Sequence, residues 1–155
     1  MRLRVQVNGA AHELEARADE SILAVLRREL GLLSVRETCG IGVCGACTVL
    51  LDGEPVSGCL LLAPLAQGCE LTTVEGLGGE HPVQRAFADA HAFQCGYCTA
   101  GMILTAKRLL EDEARPSEDD VRAAMSGNLC RCGSYVKIVD AVLGEIGRAS
   151  CRERV

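Results

Sequence analysis

Residues 39–53 read CGIGVCGACTVLLDG, and the spacing of the thiols in this stretch governs how the rest of the chain is read. Cys39, Cys44 and Cys47 follow a C-x4-C-x2-C pattern, and Cys59 stands beyond them after eleven intervening residues. Plant-type [2Fe–2S] sites use that triplet with a distant fourth cysteine. The interleaved glycines have a physical reason. Four thiolates and a cluster carry net negative charge, so backbone N–H groups must turn toward the sulfurs or burial is too costly. Gly40, Gly42 and Gly45 allow the positive φ angles and close approach that such a wrapping loop needs. Structural zinc is the competing reading, but it favours two C-x2–4-C knuckles. Only Cys44 and Cys47 form one here, and Cys59 stands alone.

Outward from this loop, the first half is rich in strand signals. RLRVQV alternates in polarity, Asn8-Gly9 is a hairpin turn, and HELEA returns as a partner strand. DESILAVLRRELG carries apolar residues at 22, 25, 26 and 30, a helical spacing, with Asp19 or Ser21 as cap and Gly31 as stop. CTVLLDGEPVSGCLLLA gives a second hairpin turning at Asp52-Gly53, and CELTTVEGL reads as a closing strand. The expectation is a small α+β unit over residues 1–76. GLGGE at 76–80 is the linker, since clustered glycines punctuate strongly.

The second half, residues 77–144, reads as all-α, with helices expected at 82–92, 99–113, 117–126 and 134–143. Ser117 caps the third, and Glu118, Asp119 and Asp120 suit the positive end of its dipole. Cys95-x2-Cys98 and Cys130-x-Cys132 are separated by 31 residues and lie at the ends of two predicted helical hairpins. Taken on their own, they define a four-thiolate site between those hairpins, open to iron–sulfur or zinc.

The totals limit the function classes. The chain has 155 residues and a net charge of −5, with no run of basic residues, which argues against a nucleic-acid surface. With no Trp, two Phe and two Tyr, its core must be aliphatic. MRLRVQVNG lacks the apolar segment of a signal peptide, and CLLLAPLA is too short to span a membrane. A cytoplasmic location is expected, where ten cysteines are not a disulfide framework. His12, His81 and His91 are scattered, and the carboxylates at 111–113 and 118–120 read as solvated helix faces. No catalytic residue is expected. Cys69 is left over and reads as a small buried apolar residue in a strand. Residues 145–155, EIGRASCRERV, back-translate in frame to a sequence that resembles a common short-read sequencing adapter. They are expected to be an artefact that gives Cys151 no native role.

CGIGVCGACTVLLDG, QCGYCTAGM and SGNLCRC together resemble, in order and spacing, the iron–sulfur small subunit of the molybdenum hydroxylases. That family includes the xanthine dehydrogenases, aldehyde oxidoreductases and aerobic carbon monoxide dehydrogenases. The likeness runs from residue 3 to about residue 144. It implies an N-terminal β-grasp, plant-type ferredoxin domain followed by an all-α four-helix domain, each with one [2Fe–2S] cluster. By that likeness, Cys95, Cys98, Cys130 and Cys132 hold the cluster that faces a molybdopterin on a separate large subunit. Cys39, Cys44, Cys47 and Cys59 hold the one that passes electrons toward FAD on a medium subunit. Gln94 matches the residue that touches the pterin, and Cys132 the ligand nearest it. Thr38 stands where members often carry Gly, and Gly133-Ser134 where they often carry Thr-Gly. A free-standing ferredoxin-like carrier and a zinc-binding structural module are the alternative readings.

Overall fold

The computed structural model describes the backbone of residues 1–152 and the side chains of residues 1–144. The adapter-like reading of 145–155 therefore lies outside the fully described residues. Strands β1 (Arg2–Val7) and β2 (Ala10–Glu15) form the expected hairpin, with Asn8 and Gly9 both at positive φ. That is the left-handed turn whose twist matches paired strands. Helix α1 (Ile22–Leu30) is capped by the Ser21 hydroxyl, which accepts the Ala24 N–H at 3.3 Å, and it ends on Gly31 in the left-handed conformation. Strands β3 (Thr48–Leu51) and β4 (Glu54–Ser57) turn at Asp52-Gly53, again at positive φ. Strand β5 (Glu70–Thr72) completes a five-stranded sheet in the order β2-β1-β5-β3-β4. Only the β1–β5 pair is parallel. Alternation along β1 puts Leu3, Val5 and Val7 on one face, where Ile22, Val25 and Leu26 of α1 join them in an aliphatic core.

Two expectations for this half need correction. The closing strand is only three residues long and gives way to a 3-10 turn at Val74–Leu77. The cause is the bonding of Thr73, which is fully buried. Its N–H donates to Asn8 Oδ1 at 2.8 Å, and its hydroxyl accepts from Asn8 Nδ2 at 3.0 Å. Those bonds to the β1–β2 turn replace the next rung of the sheet. Cys69 is half-buried and precedes β5 rather than lying within it. Its thiol is pushed up by burial and by the nearby Asp52 carboxylate.

The second half forms helices α2 (Pro82–Asp89), α3 (Thr99–Asp112), α4 (Glu118–Met125) and α5 (Tyr135–Arg152). Helix α2 is shorter than its pattern because the chain breaks at His91, at positive φ, while α5 runs beyond the expected end. Ser117 caps α4 in a reciprocal box with Asp120, and His81 caps α2 with Gln84. Phe87, Met102, Val121, Met125, Ile138 and Val142 fill a second core, against which Val74 and Leu77 also pack. Leu50 and Leu104 are buried but belong to neither core, and they mark the contact of α3 with β3. Arg108 on α3 reaches Glu54 at 2.6 Å across the same junction. The mixed sheet with one crossing helix, joined to a helical unit, is the α+β arrangement expected.

Candidate iron–sulfur sites

The loop between α1 and β3 carries Cys39, Cys44 and Cys47, and the turn after β4 brings Cys59 to it. Cys39 feels the Cys44 thiol, and Cys47 feels those of Cys59 and Cys44. Backbone N–H groups point at sulfur. Ile41 donates to Cys39 Sγ at 3.5 Å, and Cys59 donates to Cys47 Sγ at 3.4 Å. The first of these bonds and the Cys44 thiol lower the Cys39 pKa to about 6, whereas burial pushes Cys47 up to about 11.

The second quartet is arranged in the same way. Cys95 and Cys98 end the loop before α3, and Cys130 and Cys132 occupy the loop between α4 and α5. Cys95 feels the Cys132 and Cys130 thiols, and Cys98 feels those of Cys130 and Cys95. Tyr97 and Ser134 each donate a backbone N–H to sulfur, on Cys95 and Cys130 respectively, both at 3.5 Å. Burial pushes the Cys98 thiol up to about 12, and the Cys130 thiol deepens that effect. At Cys130 burial also acts upward, but it is outweighed by the Ser134 N–H, the Cys98 thiol and the Cys132 N–H, so the net shift is downward. Cys95 is exposed and lies lower than usual, chiefly through the Tyr97 N–H.

This donor set suits a two-iron cluster, in which each iron takes two thiolates. Among the described residues, no group of three or more His, Cys, Asp or Glu is arranged to hold a single metal ion. A cavity of about 470 Å³ is lined by Cys95, Cys98 and Cys130 of the second quartet and also by Cys44 and Ala46. The two sites are therefore neighbours.

Backbone contacts join them. The Leu129 N–H donates to the Cys44 carbonyl at 2.8 Å. Asn128, 4% exposed, donates to the Gly45 carbonyl at 3.1 Å. The approach is close enough to require glycine on both sides. A Cβ on Gly101 would stand 2.1 Å from Gly45 O, and one on Gly45 would stand 2.6 Å from Gly127 O. On the other flank the Arg36 guanidinium donates to the Gly96 carbonyl at 2.7 Å and lies over the Tyr97 ring, 4.8 Å from its centre. The Tyr97 hydroxyl donates back to the Glu37 carbonyl at 2.9 Å.

Gln94 is exposed at the end of the second site, and its amide donates to the Cys132 carbonyl at 3.1 Å. It links the two cysteine loops of that site. The histidines have other places, with His12 in β2, His81 capping α2 and His91 at the break that follows α2. Asn128, Arg36, Tyr97 and Ser134 carry site geometry that spacing alone does not assign. For Asn128 the only sequence signal is its place two residues before Cys130.

The fold and the two thiol quartets define a tandem of [2Fe–2S]-binding domains. Residues 5–72 match the family described as 2Fe-2S iron-sulfur cluster binding domain, and residues 73–143 match the [2Fe-2S] binding domain. The chain belongs to the family of iron–sulfur subunits of the molybdenum hydroxylases. It is 43% identical over 151 residues to the nicotinate dehydrogenase small FeS subunit of Eubacterium barkeri, covering 96% of this chain and 96% of that one. In structure it is similar to a chain of quinoline 2-oxidoreductase from Pseudomonas putida 86, with a TM-score of 0.91 at 43% identity, covering 100% of this chain and 98% of that one. The aldehyde oxidoreductase of Desulfovibrio desulfuricans also matches with a TM-score of 0.91, at 39% identity, over 96% of this chain but only 17% of that one.

Proposed function

We propose that Cys39, Cys44, Cys47 and Cys59 hold one [2Fe–2S] cluster and that Cys95, Cys98, Cys130 and Cys132 hold a second. The pair is read as a relay between cofactors on other subunits. The observation that carries this reading is that backbone N–H groups point at sulfur in both quartets, on loops joined by the Leu129–Cys44 hydrogen bond. When bound, each cluster supplies one-electron exchange with little nuclear rearrangement. The chain supplies the rest. Its loops fix the thiolates, its N–H groups offset negative charge on sulfur, and the docked halves hold the two sites side by side.

The second site is read as the one that faces a molybdopterin on a large subunit, with Gln94 and Cys132 nearest the pterin. Its surroundings favour docking, since Phe93, Tyr97, Leu129 and Val136 are large, apolar and exposed beside it. In the Desulfovibrio desulfuricans aldehyde oxidoreductase the matching segment is a small part of one long chain, so there the same module is continuous with the rest of the oxidoreductase. The first site is read as the exit toward FAD on a medium subunit, and Ile41, Val43 and Leu60 are exposed around it. A cytoplasmic location is part of this reading, supported by cysteines assigned to clusters rather than to disulfides. No helix among the described residues is long and apolar enough to cross a membrane.

The test is anaerobic purification of the complex. Iron and acid-labile sulfide sufficient for two clusters, two distinct EPR signals on reduction, and co-purification of a molybdopterin-bearing chain are expected. Zinc in a colourless protein would support the structural-module reading. Two clusters in a chain that binds no partner would support the free carrier.

A further inference from the structure

Three serines stand immediately before helices, Ser21 before α1, Ser117 before α4 and Ser134 before α5. At that position a serine oxygen ordinarily accepts an unpaired N–H of the first helical turn. Ser21 takes the Ala24 N–H at 3.3 Å, and Ser117 takes the Asp120 N–H at 3.2 Å. Ser134 departs from this pattern. Its carbonyl accepts the Ile138 N–H at 3.0 Å, as a residue at a helix start should. The residue is only 6% exposed, yet its hydroxyl has no hydrogen-bond partner. A buried hydroxyl left unpaired costs free energy, and a chain that keeps one usually has a use for it.

Cys130 lies against the same residue. The Ser134 N–H reaches Cys130 Sγ at 3.5 Å, so the residue lies against that sulfur. The other buried hydroxyl without a partner among the described residues, Thr99 Oγ1, directly follows Cys98. The first quartet has no such reserve nearby. Thr48 there donates to the Gly45 carbonyl at 2.8 Å, and Ser57 to the Gly42 carbonyl at 3.4 Å. The two sites thus differ in the hydroxyl donors they hold ready.

We propose that Ser134 is a tuning residue, whose hydroxyl donates to the Cys130 sulfur and raises the reduction potential of the second cluster. The proposal rests on the reading of Cys130 as a ligand. Reduction brings one electron onto the iron, sulfide and thiolate unit, and no bond forms or breaks and no proton moves. Part of the added charge falls on the ligand sulfurs. A donor aimed at one of them therefore stabilises the reduced form more than the oxidised form. The second site is thereby made the better electron acceptor, while the first lacks this aid.

The experiment is a dithionite titration of the intact complex followed by EPR, with wild type, Ser134→Ala, Ser134→Gly and Ser134→Thr. Glycine is a tolerated residue at a helix start, so the second variant guards against a packing effect of the first. Both hydroxyl-free variants are expected to disfavour reduction of one cluster about tenfold, a fall of about 59 mV for one electron. The other cluster should titrate as in wild type, and threonine should restore most of the difference. Unchanged potentials in both hydroxyl-free variants, or an equal shift of both clusters, would overturn the proposal and leave the ligand reading standing. A wild-type sample with a single [2Fe–2S] signal would overturn the ligand reading itself, and Ser134's role with it.

Discussion

Asn128 shows how one side chain can hold two redox sites in register. Its amide nitrogen serves the Gly45 carbonyl at 3.1 Å and the Thr48 hydroxyl at 3.4 Å, and its carbonyl accepts the Thr105 hydroxyl at 3.0 Å. One buried amide therefore ties the first cysteine loop, β3 and α3 to the second cysteine loop. Truncation to Ala would strip one bond from a buried carbonyl and leave the Thr105 hydroxyl unanswered, at a cost of about 1–3 kcal/mol. Asn128→Ala is expected to lower the stability measured by urea unfolding by that amount. It should also weaken the spin–spin coupling between the two reduced clusters, because the loops are no longer pinned. Asn128→Asp should cost more, since it turns an acceptor toward the Gly45 carbonyl. Unchanged stability in both variants would mean that the backbone bond from Leu129 holds the loops alone.

The 3-10 turn at Val74–Leu77 works as a latch between elements. Glu75 accepts the Ser34 N–H at 3.1 Å together with the Ser34 and Thr73 hydroxyls, and Thr73 is bonded in turn to Asn8. Burial opposes ionisation of the Glu75 carboxyl, but these donors outweigh it and its pKa lies below the usual value. A depressed carboxylate pKa stabilises the fold above the ordinary glutamate value of about 4.3, and that contribution is lost as the pH falls through the folded-state value. Thermal unfolding from pH 7 to pH 3 should therefore show wild type losing its advantage over Glu75→Gln as acid is added. A constant difference would remove the latch from the account. The latch also shows what the sequence conveys and what it withholds. The hairpins at Asn8-Gly9 and Asp52-Gly53, the Ser21 cap and the Gly31 stop are local signals and are legible. The early end of β5 is set by a bond from Thr73 to a turn 65 residues away, which no local pattern announces. The cysteine quartets are legible because their spacing is chemistry. The Arg36–Tyr97 contact and the Gly45–Gly101 approach are tertiary and leave no periodic trace.

At the scale of the whole molecule, two hydrophobic cores each support one thiol quartet, and the quartets meet where the cores dock. The bridge between them is carried by backbone, from Leu129 N–H to Cys44 carbonyl, so a change of the Cys44 side chain leaves it in place. Cys44→Ser is expected to remove the EPR signal of one cluster and spare the other, and Cys98→Ser to do the converse. Joint loss in either variant would show that the halves fold as one unit. The exposed apolar side chains divide in the same way, with Ile41 and Leu60 beside the first site and Phe93 and Val136 near the second. If electrons enter at the second site and leave at the first, the two surfaces fail differently. Phe93→Asp with Val136→Asp should reduce co-purification of the molybdopterin-bearing chain several-fold, because charge is placed in an apolar contact. Ile41→Asp with Leu60→Asp should leave that association intact. It should slow reoxidation of the reduced clusters by the proposed flavin-bearing partner in stopped-flow measurements. The opposite pattern would reverse the direction assigned to the relay, since the entry surface would then be the one around Cys39 and Cys59.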